Sequence, residues 1–356
     1  MKNPGSRVSN YPLSYKLSWL PRFLKPSLHS DAEDFGPAAA DLLVPRPART
    51  VRLAFVGDIS AVASSQAPIC DPRLKELLGS ADLVIGNCES PIVECVRARF
   101  GTWLGTHHAM KEAFFIEAMA AVGIRHERLV LSLANNHMLD QGIEGFEETV
   151  GALQRLGIRM IGTAHGGPML PVNAGGLTIG FAAFTLWRNA AEALFSGRVS
   201  TESNPERWPT GSLGNADLLC AVPHWGWEFR HFPQAETLVL ARRLTEYGFG
   251  LVVGHHAHVL QPVDLIGQAP VAYGLGDFLG TALARQPWPG RIGGIFTVDI
   301  SAEPESLGKV AGYRMHPFVR LRDSGRERLV PATDLGGTLR ARVDERLARV
   351  LGAAQP

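Results

Sequence analysis

The chain has 356 residues, of which 46% are hydrophobic and 19% charged, and its 35 Lys and Arg against 34 Asp and Glu leave a net charge of +1. This balance argues against a dedicated nucleic-acid binder, which carries a basic excess. Four irregularly spaced Cys argue against a disulfide scaffold or a thiolate zinc site. No run reaches the roughly 20 apolar residues of a membrane-spanning helix, and the start of the chain lacks the apolar stretch of a secretory leader. We therefore expect a soluble, cytoplasmic α/β protein.

The first fifty residues differ in composition from the rest, and we expect them to form a Pro-rich N-terminal extension (residues 1–50). Pro21 interrupts the only helical pattern there, SYKLSWLPRFLKP, which favours a loosely packed or partly disordered segment. The alternative is a peripheral contact with a membrane or a partner, because basic residues beside Trp and Phe suit an interface.

An alternation of strands and helices begins at Val51 and predicts an α/β domain over residues 51–304. Short apolar runs bounded by Gly, Asn, Asp or Pro are typical of strands, and amphipathic segments lie between several of them. This order predicts βαβ units and a largely buried sheet. The predicted strands are VRLAFV, ADLVIG, LVLSLA, IRMIG, LTIGFAAFTLW, ADLLCAV and GLVVG, and the predicted helices are DPRLKELLG, MKEAFFIEAMAAVG, IEGFEETVGALQRLG and PQAETLVLARRLTEYG. Residues 305–356 are expected to add strands and a closing helix, RARVDERLARVL, to the same domain.

Polar clusters follow five of these strands at the point where each strand ends. Because the carboxyl ends of strands line up on one edge of an open α/β sheet, where ligands bind, groups that are distant in sequence can converge there. Taken singly, each cluster is more often a turn, a cap or a solvated loop, but the coincidence of all five favours a shared site. The clusters are Gly57-Asp58, Gly86-Asn87-Cys88-Glu89, Asn135-Asn136-His137, Pro223-His224-Trp225-Gly226 and Gly254-His255-His256-Ala257-His258.

The residue types in these clusters predict a metal site. Carboxylates and imidazoles without thiolates suit Mn, Fe, Zn or a similar divalent ion. Two metals about 3.5–4 Å apart need a shared carboxylate, and Glu89, which follows a buried strand, is the best candidate for it. His256 and His258 would point to opposite faces of a strand, whereas in a loop each can serve one metal.

Six stretches of the chain resemble the CapA family of poly-γ-glutamate capsule biosynthesis proteins, a branch of the calcineurin-like metallophosphoesterase superfamily. They are FVGDIS, GNCESPI, LSLANNHMLDQGIEGFEETVGALQRLGIRMIGTAHG, PHWGWEF, VVGHHAHVLQPV and YGLGDFL, which lie within residues 52–279. The resemblance implies an α/β fold, a four-layer αββα metallophosphatase-like sandwich with two central β-sheets flanked by helices. It also implies two divalent metal ions, Mn, Fe or Zn, at the strand ends.

The resemblance assigns roles to the matching residues of this chain. Ser60 stands where the superfamily's usual first motif has a second histidine, and Asp277 is expected in a supporting or turn position rather than as a ligand. His107 and His108 precede a predicted helix, and solvent exposure is the simpler expectation for both. The implied metal ligands are Asp58, Glu89 as the bridge, Asn136, His224, His256 and His258, with His137 as the catalytic residue that contacts the scissile phosphate or protonates the leaving group. Candidates for supporting or substrate contacts are Asn87, Asn135, His255, Asp277 and Arg230.

The resemblance implies a metal-dependent hydrolase of the CapA and metallophosphoesterase type, acting on a phosphoester or related bond. The expected partner is a small anionic or polyglutamate-like substrate, and no nucleic acid is expected. The alternative is a non-hydrolytic or amide-directed component of poly-γ-glutamate capsule synthesis or export, working with other capsule-synthesis proteins and associated peripherally with a membrane. Both stay open at this point, because a fold does not dictate its substrate.

Overall fold

The computed structural model describes residues 9–32, 34–60, 66–163, 169–208, 215–280, 286–323 and 326–352. The first eight residues, on which the expectation about a secretory leader partly rests, lie outside these ranges. None of the helices in the described ranges has the length and apolar character needed to cross a membrane. The helices are α1 (Leu13–Leu24), α2 (Pro72–Gly79), α3 (Arg99–Trp103), α4 (Glu112–Ala121), α5 (Gly142–Arg155), α6 (Glu192–Phe195), α7 (Ala235–Tyr247) and α8 (Gly337–Leu351).

The strands of the described residues form two sheets, and each predicted strand and helix from residue 51 onward is confirmed. The strands are β1 (Ala39–Asp41), β2 (Thr50–Ile59), β3 (Ile69–Cys70), β4 (Leu83–Cys88), β5 (Leu129–Ser132), β6 (Arg159–Ile161), β7 (Met169–Ala174), β8 (Leu177–Thr185), β9 (Leu218–His224), β10 (Leu251–Val253), β11 (Val263–Ile266), β12 (Ala269–Ala272), β13 (Asp277–Leu279), β14 (Ile292–Ser301), β15 (Val310–Asp323) and β16 (Arg326–Pro331).

Parallel strands occupy one half of the first sheet and the middle of the second. The first sheet has the order β3-β16-β15-β14-β2-β4-β5-β6, with β1 beside β15 and β13 beside β2. In it β2, β4, β5 and β6 run parallel, whereas β14 and β15 continue antiparallel. The second sheet has the order β11-β12-β10-β9-β8-β7, and β8, β9, β10 and β12 run parallel. Each sheet therefore gathers several strand carboxyl ends at one edge.

The two sheets pack together between helices. Along β8, Phe181 and Ala183 belong to the large core shared with the first sheet, whereas Ala182 and Phe184 belong to a second core that includes residues of α7. Because successive side chains of a strand point to opposite faces, the second sheet is covered on both faces. Residues of α2, α4 and α5 join the large core with the first sheet. The predicted arrangement of two sheets flanked by helices is confirmed.

The N-terminal segment, a name we use for residues 9–32, departs from the expectation of loose packing. Helix α1 continues through Pro21, and the backbone N–H of Lys25 donates to the carbonyl of Pro21 at 3.0 Å. Pro21 lies in the last turn, where its missing N–H removes one helical hydrogen bond. Tyr15, Arg22 and Phe23 on the inward face are buried. The expectation that Pro21 prevents a helix here is wrong, because packing of this face compensates for the lost bond.

Candidate metal centre

Backbone pairing in the first sheet places acidic residues side by side. Asp58, near the end of β2, is in register with Asn87 of β4 on one side and with Asp277 of β13 on the other. Strand β13 can approach this closely because residue 57 is glycine: a Cβ on Gly57 would overlap the carbonyl oxygen of the residue before Asp277. Glu89 follows β4 directly, so its carboxylate stays at the same edge.

The second sheet contributes histidines. His224 ends β9 and forms a parallel backbone bridge with His255, just beyond β10. His256 and His258 have φ angles of 93° and 52°, in the left-handed region that residues other than glycine rarely occupy. This segment is therefore a tight turn rather than a strand, and both imidazoles can approach the carboxylates of the first sheet.

Two groups of metal-ligating side chains meet at Glu89, whose Oε1 lies 3.6 Å from His258 Nε2 and 3.7 Å from His224 Nε2. Within each group, the ligand atoms lie within 4.8 Å of one another. A third group of the same kind, Glu228, His256 and His258, lies beside these two, which are Asp58, Glu89, His258 and Asp277 on one side and Glu89, His224 and His256 on the other. We call the six residues of the two groups that meet at Glu89, together with Asn136, the strand-end cluster. Its one shared carboxylate is the residue that the sequence suggested as a bridge.

The carboxylate of Glu89 is suited to hold cations. It is fully buried, and neither of its oxygens has a hydrogen-bond partner among the described residues. Burial raises the pKa of Glu89 well above its usual range and also raises the pKa of Asp58, since a buried carboxylate is disfavoured without a compensating charge. Divalent ions supply such a charge, and this mixture of oxygen and nitrogen donors suits Mn, Fe or Zn. The residues present therefore fit the metal ions that the resemblance implies.

Asp277 lies beside Asp58 and Glu89, where its carboxylate both supports His258 and belongs to the ligand-type group. Its Oδ1 is 2.6 Å from Nδ1 of His258, and its Oδ2 accepts hydrogen bonds from Arg320 at 2.8 Å and from Gln286 at 3.1 Å. Burial alone would raise the pKa of this carboxyl, but His258 and Arg320 outweigh burial and hold the pKa below its usual value. The pairing of β13 with β2, which a three-residue strand hides in the sequence, places Asp277 next to Asp58.

The asparagines form a hydrogen-bonded chain beside the acidic residues. Asn87 donates through Nδ2 to Oδ1 of Asp58 at 2.8 Å, and Asn135 donates to the side-chain oxygen of Asn87 at 3.1 Å. Oδ1 of Asn136 lies 2.8 Å from Nε2 of His224. Asn87 and Asn135 thus orient the carboxylate, and Asn136 stands at the edge of the histidine group.

Two other predicted residues lie outside the strand-end cluster. His255 is buried, but its Nε2 lies 3.1 Å from the carbonyl oxygen of Val56, so this imidazole links the two sheets. The guanidinium of Arg230 lies 3.4 Å from the carboxylate of Asp31. Among the described residues Arg230 does not line the cavity at the cluster, and the structure gives no support to a substrate contact.

His137 is paired with Asp140, which the sequence analysis did not single out. Nδ1 of His137 lies 2.6 Å from Oδ2 of Asp140, and both side chains are buried. Burial raises the pKa of Asp140 to about 7 and lowers the pKa of His137. The two groups therefore share one proton near neutral pH. The sequence signal that could have pointed to Asp140 is an acidic residue three positions after His137, within a turn.

His108 lies flat against His137, with ring centroids 3.5 Å apart. Its backbone N–H donates to Oδ2 of Asp140 at 2.7 Å, and its side chain is buried. The expectation of solvent exposure is therefore wrong for His108. The loop before α4 folds back over the turn that carries Asp140, a long-range contact without a local sequence signal.

The N-terminal segment covers the strand-end cluster with aromatic rings. The hydroxyl of Tyr11 accepts a hydrogen bond from Nδ2 of Asn136 at 2.8 Å, and the hydroxyl of Tyr15 lies 3.4 Å from Nε2 of His256. Burial raises the pKa of both tyrosines, so they remain protonated. The ring of Tyr11 also stacks on Trp187 at 4.9 Å. The sequence analysis missed these two tyrosines, because a Tyr outside the strand-end motifs carries no chemical signature.

A cavity of about 390 Å³ lies at the junction of the N-terminal segment and the strand-end cluster. Its lining combines apolar rings with the polar groups described above. A substrate in this cavity can therefore contact the rings and the polar groups at the same time. It is lined by Tyr11, Tyr15, Trp19, Phe23 and Phe229 among the aromatic residues, and by Asn136, His137, His258, Asp277 and Glu228 among the polar ones.

Residues 52–282 match the model of a family described as bacterial capsule synthesis protein PGA_cap. The chain is 28% identical over 225 residues to the capsule biosynthesis protein CapA of Bacillus anthracis, in an alignment that covers 57% of this chain and 51% of that protein. It is 24% identical over 246 residues to the PGA biosynthesis protein CapA of Bacillus subtilis, covering 63% of this chain and 62% of that protein. The chain thus spans about half to three fifths of the length of these relatives.

The solved structures that align with this chain include a phosphatase and a 5'-nucleotidase. A novel phosphatase from Mycoplasma pneumoniae is 12% identical, with a TM-score of 0.38 and coverage of 76% of this chain and 94% of that one. A 5'-nucleotidase from Candida albicans is 10% identical, with a TM-score of 0.44 and coverage of 80% and 52%. The sequence matches, and not these structures, decide the family of the chain.

Proposed function

The chain belongs to the bacterial capsule synthesis protein family PGA_cap, and we propose that it is a metal-dependent hydrolase that cleaves a phosphoester or a related bond at the strand-end cluster. One observation carries the proposal: two groups of ligand-type residues share Glu89, whose buried oxygens have no other partner among the described residues. A carboxylate shared between two ligand sets is what a dinuclear site requires.

Two divalent ions, Mn, Fe or Zn, held by the two groups would supply the charge that neutralises a phosphoryl group and acidifies a water molecule. Asp58, His258 and Asp277 would hold one ion, and His224, His256 and the amide oxygen of Asn136 would hold the other. Glu89 lies between the two sets. Asn87 orients Asp58 through the 2.8 Å hydrogen bond.

His137 protonates the departing oxygen. It lines the cavity, and its Nδ1 is held by Asp140 at 2.6 Å, so Nε2, which lies 3.4 Å from the side-chain amide of Asn189, is the atom that meets the substrate. A positioned proton donor of this kind contributes typically 10²–10⁴-fold in rate. Asp140 fixes the ring and keeps the proton within reach as the leaving group departs.

The test is metal content and hydrolysis of bis-p-nitrophenyl phosphate with Mn²⁺, measured for the wild type, Asp58→Asn, Glu89→Gln and His256→Ala. We expect bound metal and turnover in the wild type and loss of both in the three variants. Asp299→Asn is the matched control, because this carboxylate is also largely buried but is paired with Arg46 and Arg52 at the opposite end of β2. A metal-free wild type, or turnover that survives all three substitutions, would defeat the proposal.

A second candidate comes from the names of the relatives. Two of them are called capsule biosynthesis and PGA biosynthesis proteins, which favours a part in making a polyglutamate capsule, either on a γ-glutamyl amide bond or without hydrolysis and alongside other capsule-synthesis proteins. A panel of γ-glutamyl peptides, assayed beside the phosphoesters with the same metal-loaded protein, separates the candidates. Cleavage of the peptides alone would favour the second.

A further inference from the structure

The aromatic side of the cavity is built largely by residues outside the family match. Tyr11, Tyr15, Trp19 and Phe23 belong to the N-terminal segment, whereas the family model begins at residue 52. We propose that these rings, with Phe229, form an aromatic wall that selects substrates whose leaving group carries a flat, apolar ring. The proposal rests on the hydrolase function proposed above and names the class of its substrate.

The rings of the aromatic wall pack in two groups, Tyr11 with Tyr15 and Trp19 with Phe23 and Phe229. Trp19 and Phe23 are parallel, with centroids 5.4 Å apart and an interplanar angle of 1°. Phe229 meets both rings edge-on, at 5.7 Å from Trp19 and 5.2 Å from Phe23. Its ring also lies 5.8 Å from that of His258. The wall thus reaches the strand-end cluster, so a ring one bond away from a phosphoryl group can lie against it.

The segment that carries the wall is fixed at both ends. Near its start, the side chain of Asn10 donates to the carbonyl of Leu186 at 2.7 Å. Near its end, the backbone N–H of Ser27 donates to the carbonyl of Phe229 at 2.9 Å. Between them, Arg22 donates through Nη1 to the carbonyl of Glu228 at 2.7 Å. A wall held in this way is preorganised, and a ligand does not have to pay for ordering it.

The charges that line the cavity disfavour a substrate with many anionic groups. Glu228 and Asp277 line it, and no Lys or Arg is among its described lining residues. The guanidinium of Arg22 is close by, but it lies over the rings of Tyr15 and Trp227, at 4.6 and 4.8 Å. A chain of many carboxylates would meet acidic and aromatic groups here, and no Lys or Arg among the described lining residues would pair with the carboxylates beyond the metal site.

Isothermal titration of the Mn²⁺-loaded full chain with two non-hydrolysable ligands, phenylphosphonate and methylphosphonate, tests the wall. We expect phenylphosphonate to bind about tenfold tighter, as one aromatic contact of about 1.4 kcal/mol gives. Trp19→Leu and Phe23→Leu should each bring the affinity for phenylphosphonate towards that for methylphosphonate and leave the latter unchanged. Leu17→Ala, on the outward face of the same helix and 72% exposed, should change neither affinity.

Equal binding of the two phosphonates by the wild type, or full retention of the preference in both Trp19→Leu and Phe23→Leu, overturns the aromatic wall. Failure of both ligands to bind overturns it as well. Metal content and turnover of bis-p-nitrophenyl phosphate, measured on the same samples, decide the hydrolase function separately. If the protein hydrolyses phosphoesters but does not prefer phenylphosphonate, the proposed hydrolase function stands and the aromatic wall is refuted.

Discussion

The strand-end cluster and the N-terminal segment meet at one cavity but are held there by different forces. Sheet register places the cluster, because Asp58, Asn87 and Asp277 are neighbours through backbone pairing. Aromatic packing and a few hydrogen bonds place the segment, across sequence separations as large as the 241 residues between Tyr15 and His256. The cluster is polar and costly to bury without cations, whereas the segment is stabilised by apolar contact. Changes at one should therefore leave the other largely in place.

The largest effect on metal binding and turnover is expected for Glu89→Gln, which disrupts the strand-end cluster and leaves the N-terminal segment in place. Loss of the shared carboxylate should abolish stoichiometric metal binding and lower turnover by roughly 10³-fold or more, since metal-ion stabilisation is worth several kcal/mol. Because the buried carboxylate of Glu89 has a raised pKa and no hydrogen-bond partner among the described residues, the metal-free variant should unfold at the same temperature as the metal-free wild type or higher. Calorimetry with and without Mn²⁺ measures this, and a variant that Mn²⁺ still stabilises like the wild type would contradict it.

Asp140→Asn should have the next largest effect, because it removes the carboxyl that holds His137 and leaves the proposed metal ligands unchanged. We expect kcat/KM to fall by roughly 10²–10⁴-fold, with metal content unchanged. In the wild type the pair must hold a proton, and the pKa of Asp140 is about 7, so activity is present below that pH and declines as the pH rises through it. A pH profile of kcat/KM checks both points. A wild-type kcat/KM that stays constant from pH 6 to 9 would rule out His137 as the proton donor.

Arg22→Met should loosen the N-terminal segment and spare the cluster. The substitution removes hydrogen bonds to the carbonyls of Tyr15 and Glu228, and leaving buried carbonyls without a donor costs about 2 kcal/mol. Limited proteolysis should cut the segment faster, while metal content stays that of the wild type. Lys16→Met, at an exposed position of the same helix, is the control. A loss of metal in Arg22→Met would show that the two regions are not independent.

Pro21→Ala should give the smallest effect, and in the opposite direction. The alanine restores a backbone N–H in the last turn of α1, and the hydrogen bond it allows should stabilise the helix by about 1 kcal/mol. Pro21 is exposed, so no packing is lost. Thermal unfolding should rise by a few degrees at most, with turnover unchanged. A lower unfolding temperature would mean that the proline ring itself supports the docking of the segment.

Much of the strand-end cluster could be predicted from the sequence, because one rule covers it: polar residues just after parallel strands share an edge. Asp58, Glu89 and His224 follow that rule. Asp277 does not, since its strand has three residues and its position depends on pairing with β2. Asp140 could not be predicted without knowing the geometry of the turn that brings it to His137. The docking of Tyr11 and Tyr15 lies beyond such rules, because it depends on side-chain packing between segments that no periodicity connects.

Anomalous diffraction from crystals grown with Mn²⁺ tests the central claim most directly. We predict two manganese peaks about 3.5–4 Å apart, one among Asp58, His258 and Asp277 and one among His224, His256 and Asn136, with the carboxylate of Glu89 between them. Peaks elsewhere on the protein, or none at the strand ends at full Mn²⁺ loading, would contradict the account.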